Sequence, residues 1–272
     1  MSGHPKPLII GHRGASHFLP ENTLEAFRLA FENFRCDMIE FDVHTSQDGV
    51  PVILHDARLE RTTDGRGYVS KHTLKELKAL DAGYLFDPEK KRLYPERGKG
   101  IRIPTLEETF GAFPDKMFSV EIKENSAELT RKVMALVRKF GLEGRVAAGS
   151  KHYGVSQTMK KYFPGVRRFL SQREILGAIA GFKCGAGFAQ DPLAVASVPR
   201  ERFGFRIDSA GMIDYFHKAG IQVYFWTIND AAAMKDLRQK GVEGIITDNP
   251  AVANQVFNSK INDQNDRAKF KH

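Results

Sequence analysis

Two cysteines and a single tryptophan in 272 residues, with no apolar run of membrane length, set the first limits on this chain. Cys36 and Cys184 stand far apart and lack metal-type spacing, which argues against a disulfide framework or a thiolate zinc site. Crossing a bilayer takes roughly 20 consecutive apolar residues, and none is found. The first residues, Met1 to Pro7, also lack the apolar core of a signal peptide. The expectation is a cytoplasmic protein in a reducing compartment, without integral membrane association.

Basic patches interleaved with aromatic residues for stacking bases are missing too. The formal charge of +8 comes largely from Lys90, Lys91, Arg92, Arg97, Lys99 and Arg102, and from Arg267, Lys269 and Lys271 near the end. Charge segments of this kind usually serve solubility, so a solvated face is expected and nucleic acid is not an expected partner.

A composition of 42% hydrophobic and 27% charged residues can bury a sizeable core, and a chain of 272 residues fits one α/β domain spanning 1–272. Short apolar runs alternate with helical patterns, as in a parallel sheet with crossover helices. Candidate strands are Leu8–His12, Met38–Val43, Val52–His55, Met117–Ile122, Arg145–Gly149, Arg167–Leu170, Val223–Ile228 and Gly244–Thr247, and that number suggests closure into a barrel. Helix starts are expected where Asn22, Thr105 and Asn125 each precede an acid three residues on, the pattern of a capping box. An insertion at about 56–116 after the third strand far exceeds the usual connection of about 2–6 residues and is expected to shape a pocket. Phe182 and Phe188, within Gly177–Ala189, fit either a packed helix end and loop or an apolar wall for a substrate tail. The tail 259–272 is polar and expected to fray.

Two strands carry paired charges two residues apart, Glu40 with Asp42 and Glu121 with Lys123, and side chains so spaced share a face. Acids at strand ends can simply meet solvent. Here, however, His12-Arg13 and His55 end neighbouring strands, and functional groups of parallel sheets gather at carboxyl ends. Three carboxylates brought together repel one another unless a cation neutralises them. All-oxygen ligation by Glu40, Asp42 and Glu121 suits a hard divalent ion, Mg²⁺ or Ca²⁺. Arg13 and Lys123 add fixed positive charge, which suits an anionic substrate such as a phosphate. His12 and His55 remain for proton transfer, although each alone is equally readable as a structural histidine. Asp56 beside His55 is either the group that sets its tautomer or a turn residue.

With these residues in place the chain resembles the glycerophosphodiester phosphodiesterase family. The resemblance runs from His12-Arg13-Gly14-Ala15 through Pro20-Glu21-Asn22-Thr23, Glu40-Phe41-Asp42, Asp48-Gly49-Val50-Pro51-Val52 with His55-Asp56, and Arg61-Thr62-Thr63. It continues through Leu80-Asp81-Ala82-Gly83, Pro104-Thr105-Leu106, Glu121-Ile122-Lys123 and Trp226-Thr227-Ile228-Asn229 to Thr247-Asp248. It implies a (β/α)₈ barrel of the phospholipase C-like phosphodiesterase type, inserted after the third strand, and hydrolysis of a small glycerophosphodiester to sn-glycerol 3-phosphate and an alcohol. By position it makes Glu40, Asp42 and Glu121 metal ligands, His12 and His55 the acid/base pair, and Arg13 and Lys123 phosphate contacts. It further implies attack by the glycerol 2-hydroxyl and an aromatic wall, Trp226, beside the glycerol. One departure stands out: Ser150 is followed by Lys151-His152, where the family tends to place an aromatic residue. The rival reading is a lysophospholipase D-like or phospholipase C-like phosphodiesterase acting on lipids.

Overall fold

A computed structural model describes residues 4–202 and 204–258, so the expected fraying of 259–272 lies outside the described residues. The strands are β1 (Leu8–His12), β2 (Met38–Thr45), β3 (Pro51–Ile53), β4 (Met117–Ile122), β5 (Val146–Gly149), β6 (Arg167–Phe169), β7 (Ala194–Val198), β8 (Glu201–Arg202), β9 (Phe205–Arg206), β10 (Gln222–Phe225) and β11 (Gly244–Thr247). The helices are α1 (Leu24–Arg28), α2 (Leu74–Ala79), α3 (Leu106–Ala112), α4 (Ala127–Lys139), α5 (Tyr153–Tyr162), α6 (Gln172–Lys183), α7 (Ala210–Lys218), α8 (Ala231–Gln239) and α9 (Pro250–Phe257).

Parallel pairing runs β1-β11-β10-β7-β6-β5-β4-β2 and returns from β2 to β1, a closed barrel of eight strands with helices between them. The expected barrel therefore forms, but one stave differs. Val52–His55 is not a parallel stave: β3 runs antiparallel to the outer end of β2, with Val43 opposite Ile53. The missing stave is β7, between β6 and β10. Its Ala-Val-Ala-Ser-Val sequence is buried on both faces and lacks the alternation that marks a half-exposed strand.

Apolar residues divide between two layers. Outward-facing Phe41 and Phe118 of the barrel strands meet Phe27 of α1 and Phe110 of α3 in one large core, each burial worth roughly 2–3 kcal/mol. Inward-facing Ile10, Met38, Phe169, Tyr224 and Ile246 fill the barrel below the polar end. Gly14 is required where β1 turns toward α1: its φ is +87°, and a Cβ there would lie 2.8 Å from the Ala26 backbone.

The caps shift by one residue at two of three places. Thr105 forms the expected capping box with Glu108, but Thr23 and Ser126, not Asn22 and Asn125, cap α1 and α4. Asn22 instead sits at φ +59° and turns inward. The long connection after β3 has its own small core of Val52, Leu54, Leu59, Val69, Leu77, Ile101 and Ile103, while α3 at its end is the crossover helix leading to β4. Its basic residues are partly tied down: Lys99 pairs with Glu96, and Arg97 stacks between the Tyr84 and Tyr94 rings at 4.0 and 4.1 Å. Phe182 and Phe188 pack around Tyr215, the helix-end alternative. No helix among the described residues is long and apolar enough to cross a membrane.

Candidate active site

Strand register brings the charged residues together. His12 on β1 lies opposite Glu40 on β2, and Asp42 lies opposite Glu121 on β4. Glu40 and Asp42 are buried, at 7% and 1% exposure, facing into the barrel above its apolar filling. Ligand-capable oxygens of Glu40, Asp42 and Glu121 all lie within 4.8 Å of one another. His55 arrives by another route. Because β2 overshoots the rim and β3 folds back along it, the Leu54 N–H donates to the Asp42 carbonyl and the next residue, His55, reaches the level of the cluster.

Two cations meet these acids. Lys123 Nζ lies 2.8 Å from Asp42 and 2.9 Å from Glu121, and Arg13 Nε lies 3.4 Å from Asp42. Asn22 donates to Asp42 at 2.9 Å. Burial opposes ionisation of Asp42, but Lys123 and Arg13 outweigh it and hold the carboxyl below the usual range. Burial pushes Glu40 the other way, and neighbouring Asp42 adds to the rise. Three carboxylates thus share two fixed cations, Lys123 and Arg13, and Arg13 is also paired with Glu21. Asn22 Oδ1, buried next to the cluster, has no hydrogen-bond partner. A compact set of hard oxygens, one acid forced upward and an orphaned amide oxygen are what a divalent cation would satisfy.

Each histidine is keyed by its own carboxylate. His12 Nδ1 is 2.6 Å from Asp248 and its Nε2 is 3.9 Å from Glu40; His55 Nδ1 is 2.6 Å from Asp56. Burial disfavours the charged form of His12, yet Asp248 and Glu40 outweigh it and raise its pKa. Burial lowers His55, helped by Lys123 and Arg13 and opposed by Asp42. Asp248 is itself held at about 2, since hydrogen bonding to His12 and Asn229 overcomes burial.

Several of these residues had no assigned role in the sequence reading. Asp248, just beyond β11, also accepts from Ser16 at 3.1 Å and Asn229 at 2.7 Å. Glu21 links Arg13 at 2.9 Å to Arg61, which grips it with two nitrogens at 2.7 and 2.8 Å. His44 supports the His55 carbonyl at 3.2 Å. For Asp248, Glu21, Arg61 and Asn229 the only signal in the sequence is membership of the resembling motifs, and His44 and Ser16 lie outside them. Trp226 stands at the same end of the barrel, 36% exposed, just after β10, but does not line the cavity beside His12. Ser150 is buried, and its hydroxyl accepts from the His152 amide, closing its own turn.

That cavity, of about 440 Å³, opens between His12, Arg13 and Asp248 on one side and Leu85, Phe86 and Lys90 of the insert on the other.

The chain matches the family described as "Glycerophosphoryl diester phosphodiesterase family" over residues 12–252. A glycerophosphodiester phosphodiesterase of Caldanaerobacter subterraneus subsp. tengcongensis is 33% identical, over 90% of this chain and 95% of the relative. A human lysophospholipase D, GDPD1, is 29% identical over 89% and 83% respectively. Among solved structures, an Oleispira antarctica phosphodiesterase in complex with the product sn-glycerol-3-phosphate superposes with a TM-score of 0.74 at 26% identity, covering 93% of this chain and 97% of that one. The chain belongs to the glycerophosphoryl diester phosphodiesterase family and is a phosphodiesterase.

Proposed function

We propose that the protein hydrolyses glycerophosphodiesters to sn-glycerol 3-phosphate and an alcohol, using a divalent cation, Mg²⁺ or Ca²⁺, at Glu40, Asp42 and Glu121. The observation that carries this reading is the joint geometry: three carboxylates within 4.8 Å, two cations against them, and two histidines each keyed by a separate carboxylate. The product bound by the Oleispira antarctica relative supports the same substrate class. When bound, the ion supplies Lewis-acid stabilisation of charge on oxygen.

The protein's own groups supply the rest. Asp56 accepts a hydrogen bond from His55 Nδ1–H, which keeps the proton on Nδ1 and leaves Nε2 with a lone pair to take the proton of the glycerol 2-hydroxyl as it attacks phosphorus. An adjacent hydroxyl already held in place reacts with high effective molarity. Arg13 and Lys123 neutralise the phosphoryl oxygens. His12, which lines the cavity, donates from Nε2 to the leaving oxygen as the phosphorus–oxygen bond breaks. Water then opens the cyclic phosphate, with the two histidines exchanging roles. The free thiols Cys36 and Cys184 fit a reducing cytoplasmic setting.

The human relative's name favours a second reading, cleavage of the same bond in an acylated glycerol. Product analysis with glycerophosphocholine and lysophosphatidylcholine separates the two, and a strong preference for the acylated substrate would overturn the first. Chelation should abolish turnover and a divalent ion restore it; chelator-resistant hydrolysis would remove the metal from the scheme. His12→Ala and His55→Ala should each lower kcat by roughly 10²–10⁴ with folding preserved. A wild-type rate in either variant would refute its assigned role.

A further inference from the structure

The cavity beside His12 has a division of labour that the catalytic scheme does not use. None of Glu40, Asp42, Glu121, His55 or Lys123 lines it; its inner wall is His12, Arg13 and Asp248, and its outer wall is Ala82, Leu85, Phe86, Pro88 and Lys90. The carboxylate cluster therefore lies outside the cavity lining, and His12 and Arg13 touch both: His12 Nε2 is 3.9 Å from Glu40 and Arg13 Nε is 3.4 Å from Asp42. Resting on the proposed function, glycerol occupies the cluster side and phosphorus sits at the pair. The second ester substituent then enters the cavity.

Charge within this cavity is unequally committed. Glu21 gives its oxygens to Arg13 and Arg61, and Asp248 gives its oxygens to His12, Ser16 and Asn229. Asp87 accepts from the backbone amides of Lys91 at 3.2 Å and Arg92 at 2.7 Å. The Lys90 ammonium is different: among the described residues it has no ion pair and no hydrogen bond, while its neighbours Lys91 and Lys99 both have carboxylate partners. Its placement is built in. Lys90 sits at φ +56°, a left-handed conformation costly for a side-chain-bearing residue, inside a turn closed by its own amide on the Asp87 carbonyl at 3.2 Å and by the Asp87 carboxylate.

We infer that Leu85–Lys90 forms the subsite for the leaving alcohol, and that Lys90 makes it select alcohols bearing a carboxylate over those bearing a quaternary ammonium. Leu85, Phe86 and Pro88 pack against the carbon skeleton of that alcohol. A carboxylate there finds an uncommitted cation, whereas a fixed cation meets one of its own sign.

The test compares kcat/KM for glycerophosphoserine, glycerophosphoglycerol and glycerophosphocholine in the wild type, Lys90→Ala and Lys90→Glu. Lys90 is exposed and contributes no core packing, so both variants should melt as the wild type does. The wild type should prefer the seryl substrate. Lys90→Ala should lower the seryl-to-choline ratio about fivefold, the upper range for a partly solvated charge pair, and Lys90→Glu should lower it further and raise the choline rate. The glycerol substrate, uncharged in its head group, should change by less than about twofold. A ratio unmoved in both variants, while all three substrates are still turned over, overturns the subsite and leaves the function standing. Failure of the wild type to hydrolyse any of the three overturns the function and this inference with it.

Discussion

Replacing Asp248 by asparagine tests whether the carboxylate that holds His12 does more than fill space. Every neighbour of this carboxylate is a donor: His12 Nδ1 at 2.6 Å and Ser16 at 3.1 Å on one oxygen, Asn229 Nδ2 at 2.7 Å on the other. An amide must turn its own NH₂ toward one side. Facing Asn229, it sets donor against donor, and Asn229 cannot flip to relieve this because its oxygen already accepts from Thr247 Oγ1 and the Asp248 amide, each at 2.9 Å. Facing His12, it forces the proton onto Nε2, so a neutral imidazole can no longer take a proton back in the second half-reaction. Losing one charge-assisted hydrogen bond costs about 1.5–3 kcal/mol, or one to two decades at about 1.4 kcal/mol per decade. The tautomer error adds to this. We expect Asp248→Asn to lower kcat by about 10²-fold or more, with KM changed by less than about threefold, because Asp248 is not assigned to the phosphate. The mismatched donor should also lower unfolding stability by about 1–3 kcal/mol. Initial rates of sn-glycerol 3-phosphate release, measured from about pH 5 to about pH 9, should show the His12 limb moving to lower pH, since Asp248 helps to raise that histidine. A variant within about threefold of wild-type kcat, with an unshifted profile, would refute the positioning role.

Two further outcomes follow from other parts of the fold. Glu40→Gln removes a buried charge that burial and Asp42 already disfavour, so without metal the folded state should gain about 1–2 kcal/mol while divalent-ion affinity falls at least tenfold; unchanged affinity by calorimetry would contradict the ligand assignment. His217 is raised above its ordinary value by its hydrogen bond to Glu243, against partial burial, so its contribution is complete below about pH 6.5 and is lost as pH rises through the folded value. His217→Gln should therefore cost about 0.3–1 kcal/mol in urea unfolding near pH 5.5 and nearly nothing near pH 9, and an equal cost at both would refute the linkage.

The sequence showed where charge would gather more clearly than how the chain would deliver it. Glu40 with Asp42 and Glu121 with Lys123 were legible because alternation on a strand is a geometric rule, and register then did the rest. His55 was legible as a site residue but not in its route, since nothing in Pro51–Ile53 indicates the antiparallel direction. Asn22 was hidden by its neighbour: Asn and Thr are both good helix caps, and only the fold shows that Thr23 caps while Asn22 turns in to Asp42. β7 escaped notice because small residues buried on both faces carry no periodic signal. Asp248 is recognisable as a partner of His12 only once β1 and β11, distant in sequence, lie side by side, and Glu21 only once the insert brings Arg61 back to it.

The hydrogen bond between His12 and Asp248 crosses the seam where β1 meets β11, joining residues 236 positions apart. Synthesis from the N-terminus delivers His12 first and Asp248 only 236 residues later. A nascent chain can assemble most of its staves with His12 unkeyed, and competence should come only when the ring shuts. Turnover therefore reports completion of the whole circle, where helix content or partial collapse would not. A chain stopped before β11, or a barrel opened at this seam by stress, should lose turnover abruptly with that one contact rather than in proportion to the staves still formed.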